Sequence, residues 1–311
     1  MNKDVSVIIP MLNEERNLNK LLYAIENQTY LPKEVIFVDA GSIDNGIQII
    51  KKYNENHSEF KLKILEYKKS LPGAGRNYGI KNASYKWIAF LDCGIIPSRK
   101  WLQKLVNFSI KNKSTGVFGL CHFTADTSFT KAVCAVSYGF ERSRVALPGS
   151  MFHIDVFNHV GLFNPSMRSY EDVVWMKNYS NYYKNKSICN SAVVYYSDFP
   201  QNLFQVFSKW FLFHYSTVKV FGNPIQLLFY LLFPIGCLFS YFLNKNIILL
   251  LLLLYFISRV IISPIIKSKK VNWWEYDLVS FFHSLYLSLF IDLSKIGSSY
   301  AGIFYYIFKG R

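Results

Sequence analysis

Three times within the first hundred residues a short run of branched and aromatic side chains stops on a polar, acid-bearing turn, and apolar residues at helical spacing follow. Val5-Ser6-Val7-Ile8-Ile9-Pro10 runs into Leu12-Asn13-Glu14-Glu15, after which Leu18, Leu21, Leu22 and Ile25 recur at helical intervals. Glu34-Val35-Ile36-Phe37-Val38 ends in Asp39-Ala40-Gly41-Ser42-Ile43-Asp44 and gives way to Ile47, Ile49, Ile50 and Tyr53. Trp87-Ile88-Ala89-Phe90-Leu91 stops on Asp92-Cys93-Gly94, and Trp101, Leu102 and Leu105 keep helical spacing beyond Ser98. Between them lies a short strand, Leu62 to Leu65. Such alternation buries its apolar faces as βαβ units around a mostly parallel sheet with right-handed crossovers. In open sheets of this kind ligands bind beyond the carboxyl ends of the strands. Glu14, Asp39, Asp44 and Asp92 all fall there, and Asn13 is expected to cap the first helix.

The stretch feeding the Asp92 strand is Leu71-Pro72-Gly73-Ala74-Gly75-Arg76-Asn77-Tyr78-Gly79, a glycine-rich turn that opens a helix. Glycines admit close approach of backbone to a ligand, and a helix start presents unpaired N–H groups suited to phosphate. Downstream, Leu102 to Ile110 reads as a helix and Gly116 to Leu120 as a strand, whereas Asp126 to Val145 carries no decisive pattern. Pro148 to Ile154, Val156 to Asn164 and Ser169-Tyr170-Glu171-Asp172-Val173-Val174-Trp175 follow as strand, short helix with a glycine-aromatic turn, and an acidic pair opening a helix.

In this order and spacing, Ser6 to Pro10 with Asn13-Glu14-Glu15, Val38 to Asp44, Gly73 to Gly79 and Leu91-Asp92-Cys93-Gly94 resemble the successive motifs of the family 2 glycosyltransferases of GT-A fold. The resemblance implies an α/β, Rossmann-like catalytic domain that uses a nucleotide-sugar donor. It implies that Asp39 pairs with the base edge, with uracil the expected base, that Pro10 and Glu14 line the base and ribose pocket, and that Arg76 lies near the nucleotide. Asp92 would begin the short acidic motif that holds Mn2+ or Mg2+ on the donor's diphosphate. Carboxylates suit an imide N–H, and hard oxygen ligands suit such ions. Gly94 stands where the family often has a second aspartate, which leaves one carboxylate for the metal. In the acceptor half, Asp172 matches the general base, with Glu171 its neighbour. Carboxylates act as bases when burial or neighbouring charge raises their proton affinity. Gln205-Val206-Phe207-Ser208-Lys209-Trp210 is similar, imperfectly, to the glutamine-arginine-tryptophan motif of processive members, which makes Lys209 and His214 weaker candidates. An amphipathic helix lying on a membrane accounts for the same residues.

The chain carries 35 Lys and Arg against 20 Asp and Glu, a formal charge of +15. The excess suits an anionic membrane surface or a phosphorylated substrate. Nucleic acid is disfavoured, because the basic residues accompany carboxylate-tipped strands rather than a reading helix or an aromatic platform. Five scattered cysteines without metal-ligand spacing read as reduced thiols of a cytoplasmic domain, and the start shows no secretory signal. No histidine sits in a zinc spacing.

After Gly222 the composition changes. Pro224 to Leu243 has no charge, and Asn246 to Ile266 is broken only by Arg259; each suffices to span a bilayer. Lys267, Lys269 and Lys270 follow the second span while the turn at Asn244 to Asn246 holds Lys245 alone. The positive-inside rule thus puts the catalytic domain in the cytoplasm, with Trp273 and Trp274 at the inner interface. A third, interrupted apolar segment within 278–308 reads as one tilted span, a re-entrant pair or an interfacial helix.

The expected organisation is therefore a GT-A domain over 1–222 and a membrane domain over 223–311. Its expected activity is inverting transfer of a sugar to a lipid, lipid-linked or surface-glycan acceptor. The rivals are a non-catalytic scaffold that keeps the fold and a processive polysaccharide synthase.

Overall fold

The computed structural model describes residues 3–56, 59–219, 224–243, 245–268 and 277–309. The chain divides into two compact units. The first comprises Met1–His122 and Ser143–Ser197, the second Phe123–Arg142 and Asp198–Arg311. The composition change after Gly222 thus falls inside the second unit.

The first unit alternates as its apolar pattern requires: β1 (Val5–Met11), α1 (Glu15–Glu26), β2 (Glu34–Asp39), α2 (Gly46–Asn56), β3 (Lys61–Glu66), α3 (Pro72–Asn82) and β4 (Trp87–Phe90). β1 lies between β2 and β4, and β3 flanks β2, all in parallel. β5 (Ile95–Pro97), α4 (Trp101–Asn112) and β6 (Gly116–Phe123) come next; past α5 (Ser128–Ser137), the chain continues with β7 (Ser143–His153), α6 (Ile154–Val160), α7 (Glu171–Tyr183) and β8 (Ile188–Tyr196). The eight strands are ordered β3-β2-β1-β4-β7-β6-β8-β5. Beyond β4 the character changes, since β7 runs antiparallel to both β4 and β6, and β5 antiparallel to β8.

The sheet is held by burial. β2 is buried along its whole length, and α1 sets Leu18, Leu21, Leu22 and Ile25 into the core. Behind the junction of the parallel and antiparallel halves, Phe90, Phe118, Phe152, Phe157, Phe163 and Trp175 form one aromatic cluster. Edge-to-face pairs such as Phe118–Phe152 at 5.1 Å and Phe90–Phe163 at 5.6 Å each add about 0.5–1.5 kcal/mol beyond their buried area. α3 lies tight on β1, for a Cβ on Gly79 would come within 2.5 Å of the Ile8 side chain.

Two local expectations change. Glu14, not Asn13, is the N-cap of α1; Asn13 takes a left-handed φ of 56° and sends its side chain to the loop after β2. The undecided stretch 126–145 contains α5, which opens on a capping box between Thr127 and Thr130, followed by the start of β7.

In the second unit α8 (Leu203–Lys219), α9 (Pro224–Leu243) and α10 (Lys245–Phe256) are followed by a π-helical turn (Ile257–Ile262), α11 (Ser263–Lys267) and α12 (Leu278–Lys309). Three helical stretches are long and apolar enough to cross a membrane: Ile225–Phe242, Asn246–Lys267 and Leu278–Tyr305. The interrupted third segment is one continuous helix. Small residues on α12 let α8 approach closely: the Ser294 hydroxyl donates to the Phe207 carbonyl at 2.8 Å, and His214 Nε2 meets the Ser299 hydroxyl at 2.9 Å. Asn244, Lys269, Lys270, Trp273 and Trp274, on which the expected orientation partly rests, lie outside the described residues.

Candidate active site

Four loops converge at the carboxyl ends of the parallel strands. The loops after β1 and β2 are laced together by side chains about thirty residues apart. Asn13 N–H donates to the Ser42 hydroxyl, and Ile43 N–H donates to Asn13 Oδ1. Asp44 Oδ2 accepts from the Glu15 N–H, and Glu15 Oε2 accepts from the Asn45 N–H. Asp44 therefore serves as a cap supplied from another loop, satisfying one of the orphan donors at the start of α1. Asp39, 2% exposed, accepts from the Gly41 and Ser42 amides and the Ser42 hydroxyl. A carboxylate takes about four donors, so three are already supplied by its own turn.

Beside this lacing lies a cavity of about 270 Å³ whose wall includes Pro10, Glu14, Val38, Leu71, Pro72 and Arg168. Pro10 and Glu14 thus stand where the resemblance puts them, on a pocket wall. Glu14 is oriented by Asn17, whose amide donates to its Oε2 at 2.8 Å. Asp39, Arg76 and Asp92 are not on that wall.

Arg76 instead forms a hub. In the second turn of α3 and 3% exposed, it donates through Nη2 to Asp92 Oδ1 at 2.7 Å and through Nη1 to Glu171 Oε1 at 2.6 Å. These bonds join residues 16 and 95 positions apart in sequence. Burial alone would loosen the Arg76 proton, but the charges of Asp92, Glu171 and Asp172 outweigh it and keep the guanidinium cationic. Asp92 keeps Oδ2 without a partner among the described residues, and its side chain is 37% exposed.

Burial pushes the Asp172 carboxyl above the usual aspartate range; Arg76 partly offsets this, and Asp92 adds to it. Glu171 is raised likewise by burial and by Asp172, with Arg76 opposing. The two differ in engagement. Glu171 is buried and pinned by Arg76, whereas half-buried Asp172 is bonded, among the described residues, only within its own helix start, through Val173 N–H at 2.8 Å. Both open α7 behind Tyr170, which holds a left-handed φ of 72°, a strained conformation for a non-glycine residue.

Sequence reasoning missed two contributors. Asn77 clamps the loop after α6 by a two-way amide contact: Nδ2 donates to the Phe163 carbonyl at 2.8 Å, and the Phe163 N–H donates to Oδ1 at 2.9 Å. Gly73 permits the same approach, since a Cβ there would come within 2.6 Å of the Asn164 carbonyl. Arg168, on that loop, reaches the cavity wall; no motif marked it. Lys209 and His214 belong to the second unit. The Lys209 ammonium lies over the Phe199 and Trp210 rings, and burial lowers its pKa to about 8, with Asp198 opposing. Burial and Lys295 pull His214 down to about 4, so it is neutral at pH 7 and brings no charge to a phosphate.

The arrangement of these motifs is matched by known proteins. The model of the family described as "Glycosyl transferase family 2" matches residues 6–161, half of the chain. The chain belongs to glycosyl transferase family 2. Over 184 residues this family 2 chain is 33% identical to glycosyltransferase AglE of Haloferax volcanii, a match covering 56% of this chain and 60% of that protein. Over 115 residues it is 32% identical to the Escherichia coli UDP-Glc:alpha-D-GlcNAc-diphosphoundecaprenol beta-1,3-glucosyltransferase WfgD, covering 37% of this chain and 44% of that one. The chain therefore spans less than two thirds of the length of either relative. Among solved structures, mannosyltransferase PcManGT from Pyrobaculum calidifontis, in complex with GDP-Man and Mn2+, is similar over 100% of this chain and 89% of its own, with a TM-score of 0.59 and 13% identity. That likeness establishes the GT-A fold of the family 2 chain.

Its acids suit a divalent cation only in part. Among the described residues no three His, Cys, Asp or Glu side chains cluster to hold a metal. The free Oδ2 of half-exposed Asp92 does fit an ion whose remaining ligands are phosphate oxygens and water, the usual mode for Mg2+ at phosphates.

Proposed function

We propose that the protein is a membrane-anchored inverting glycosyltransferase that moves one sugar from a nucleotide diphosphate sugar to a lipid, lipid-linked or surface-glycan acceptor. The observation that carries this reading is the Arg76 hub, which brings Asp92 from the donor half and the Glu171–Asp172 pair from the acceptor half around one guanidinium.

In this reading the cavity holds the nucleoside, with Pro10 against the base and Glu14 accepting from ribose hydroxyls. Asp39 lies off the wall, between Val38 and Ala40 which line it, and would reach the base through the one acceptor position its turn leaves open. Asp92 would hold Mn2+ or Mg2+ on the diphosphate, where the ion neutralises charge on the leaving group. Asp172, with no hydrogen-bond partner outside its own helix start among the described residues, accepts the proton of the attacking acceptor hydroxyl at its carboxylate. Its raised proton affinity suits it to that task. Glu171 stays clamped by Arg76 and fixes the start of α7. The apolar stretches of α9 to α12 anchor the domain at the cytoplasmic face, next to a lipid-borne acceptor.

The test is nucleoside diphosphate release from a panel of UDP- and GDP-sugars by detergent-solubilised protein, with a lipid extract and with Mn2+ or Mg2+. Release from one donor, dependent on both lipid and metal, is the expected outcome. Nucleotide binding without turnover on any donor, whatever the extract, would favour the non-catalytic scaffold.

A further inference from the structure

Among the described residues the cavity at the ends of β1 and β2 carries one cation on its wall, Arg168, and it is not the Arg76 of the sequence motif. Arg76 is buried, and both of its terminal nitrogens are occupied by Asp92 and Glu171. Arg168 is exposed, lines the cavity and has no hydrogen bond or ion pair among the described residues. Its loop between α6 and α7 is anchored before it by Phe163 and Met167 and after it by Glu171, which Arg76 pins. Phe163 is packed in the aromatic cluster and clamped by Asn77, and Met167 is 4% exposed. The guanidinium is thus an unpaired charge on an anchored loop.

The wall offers apolar surface at Pro10, Val38, Leu71 and Pro72, a carboxylate at Glu14, and one forked cation at Arg168. That combination takes a ligand with a flat apolar ring, hydroxyl groups and an anion. We propose that Arg168 binds the diphosphate of the nucleotide sugar in this cavity, whereas of the two arginines the resemblance places only Arg76 near the nucleotide. The proposal rests on the nucleotide-sugar reading above. A guanidinium presents parallel N–H donors that match two phosphate oxygens, and such charge-assisted bonds are about twice as strong as neutral ones. A phosphate carried by the acceptor has the same chemistry, so the experiment must separate the two sources.

Calorimetric titration of detergent-solubilised wild type, Arg168→Gln and Arg168→Lys with UDP, GDP, UMP and GMP, in the presence of Mn2+, provides the test. For whichever base the wild type prefers, Arg168→Gln weakens the diphosphate about tenfold or more and the monophosphate less, while Arg168→Lys recovers part of the loss. Because Arg168 is exposed, the variants melt with the wild type. Equal diphosphate affinity in wild type and Arg168→Gln overturns the proposal and leaves the nucleotide reading standing. If the wild type binds no nucleoside diphosphate, the underlying reading fails and takes the proposal with it. Unchanged donor affinity with a raised KM for a lipid-phosphate acceptor also overturns it, by assigning Arg168 to the acceptor's phosphate.

Discussion

The two units each hold an arginine against a carboxylate, and the two clusters are built to opposite ends. Around Arg76 the acids are in excess: Asp92, Glu171 and Asp172 share one guanidinium, and among the described residues Asp92 keeps a free oxygen and Asp172 is bonded only within its helix start. Around Asp292 the donors are in excess. Its two oxygens accept from the Tyr230 and Tyr255 hydroxyls at 3.0 and 2.7 Å and from Arg259 Nε and Nη2 at 2.7 and 3.1 Å, with the Lys295 ammonium 3.7 Å away. Four donors fill about all that a carboxylate can accept. A saturated carboxylate ties α9, α10, the π-helical turn and α12 together; an unsaturated set of carboxylates is left able to take a proton or a cation. The difference separates a structural cluster from a reactive one using the same residue types.

The comparison breaks most visibly at Asp292. Asp292→Ala leaves Arg259 and Lys295 without their carboxylate in an apolar surrounding, and removing one partner of a buried pair costs about 3–5 kcal/mol. Thermal unfolding in detergent should show that loss, whereas Asp92→Asn, in which Arg76 keeps Glu171, should melt close to wild type. An Asp292→Ala protein as stable as wild type would show that the cluster ties nothing.

Next in size is the chemical counterpart. Asp172→Asn keeps the shape of the α7 start and removes the base, so kcat should fall roughly 10²- to 10⁴-fold with the melting temperature unchanged. The pH profile carries a sign. Asp172 works only when ionised, and its pKa is raised, so kcat/KM must fall as pH drops through a value above the ordinary aspartate range. Arg76→Gln removes the positive charge that opposes this rise, and its acid limb should move to still higher pH. A limb that stays in place in Arg76→Gln would mean that Asp172 is not the titrating base.

How much of this was legible follows from distance along the chain. The strands, the helices between them and the acids at the strand ends are local patterns, and β1 to β4 with α1 to α3 follow them. The partners of those acids are not local. Nothing near Asp44 announces that it caps α1, because its partner, the Glu15 amide, lies 29 residues away. Arg76 reads as a residue near the nucleotide, beside a glycine turn, until Glu171, 95 residues on, is found against it. Arg168 carried no motif, and only the fold brings it to the cavity. The helix at 128–137 was legible in principle, since Thr127 and Thr130 stand at capping-box spacing, but its second box residue is a threonine in place of the usual Glu or Gln.

The smallest expected effect sharpens the comparison by making the reactive cluster more acidic still. Gly94 is half-buried, sits two residues after Asp92 in the turn before β5, and has no positive φ that would exclude a side chain. Gly94→Asp adds a second carboxylate near the free Oδ2 of Asp92. Affinity for hard cations follows the charge and number of oxygen ligands, so the Mn2+ concentration for half-maximal activity should fall about three- to tenfold. The same change should slightly raise the pH of the acid limb, because another negative charge near Asp172 disfavours its ionised form. The Asp292 cluster offers a control: its carboxylate stays neutralised by Arg259 when one tyrosine donor is removed, so Tyr255→Phe should leave the metal response unaltered. If Gly94→Asp leaves the metal requirement where it was, the ion is held by phosphates and water without Asp92, and the acid excess around Arg76 serves the proton transfer alone.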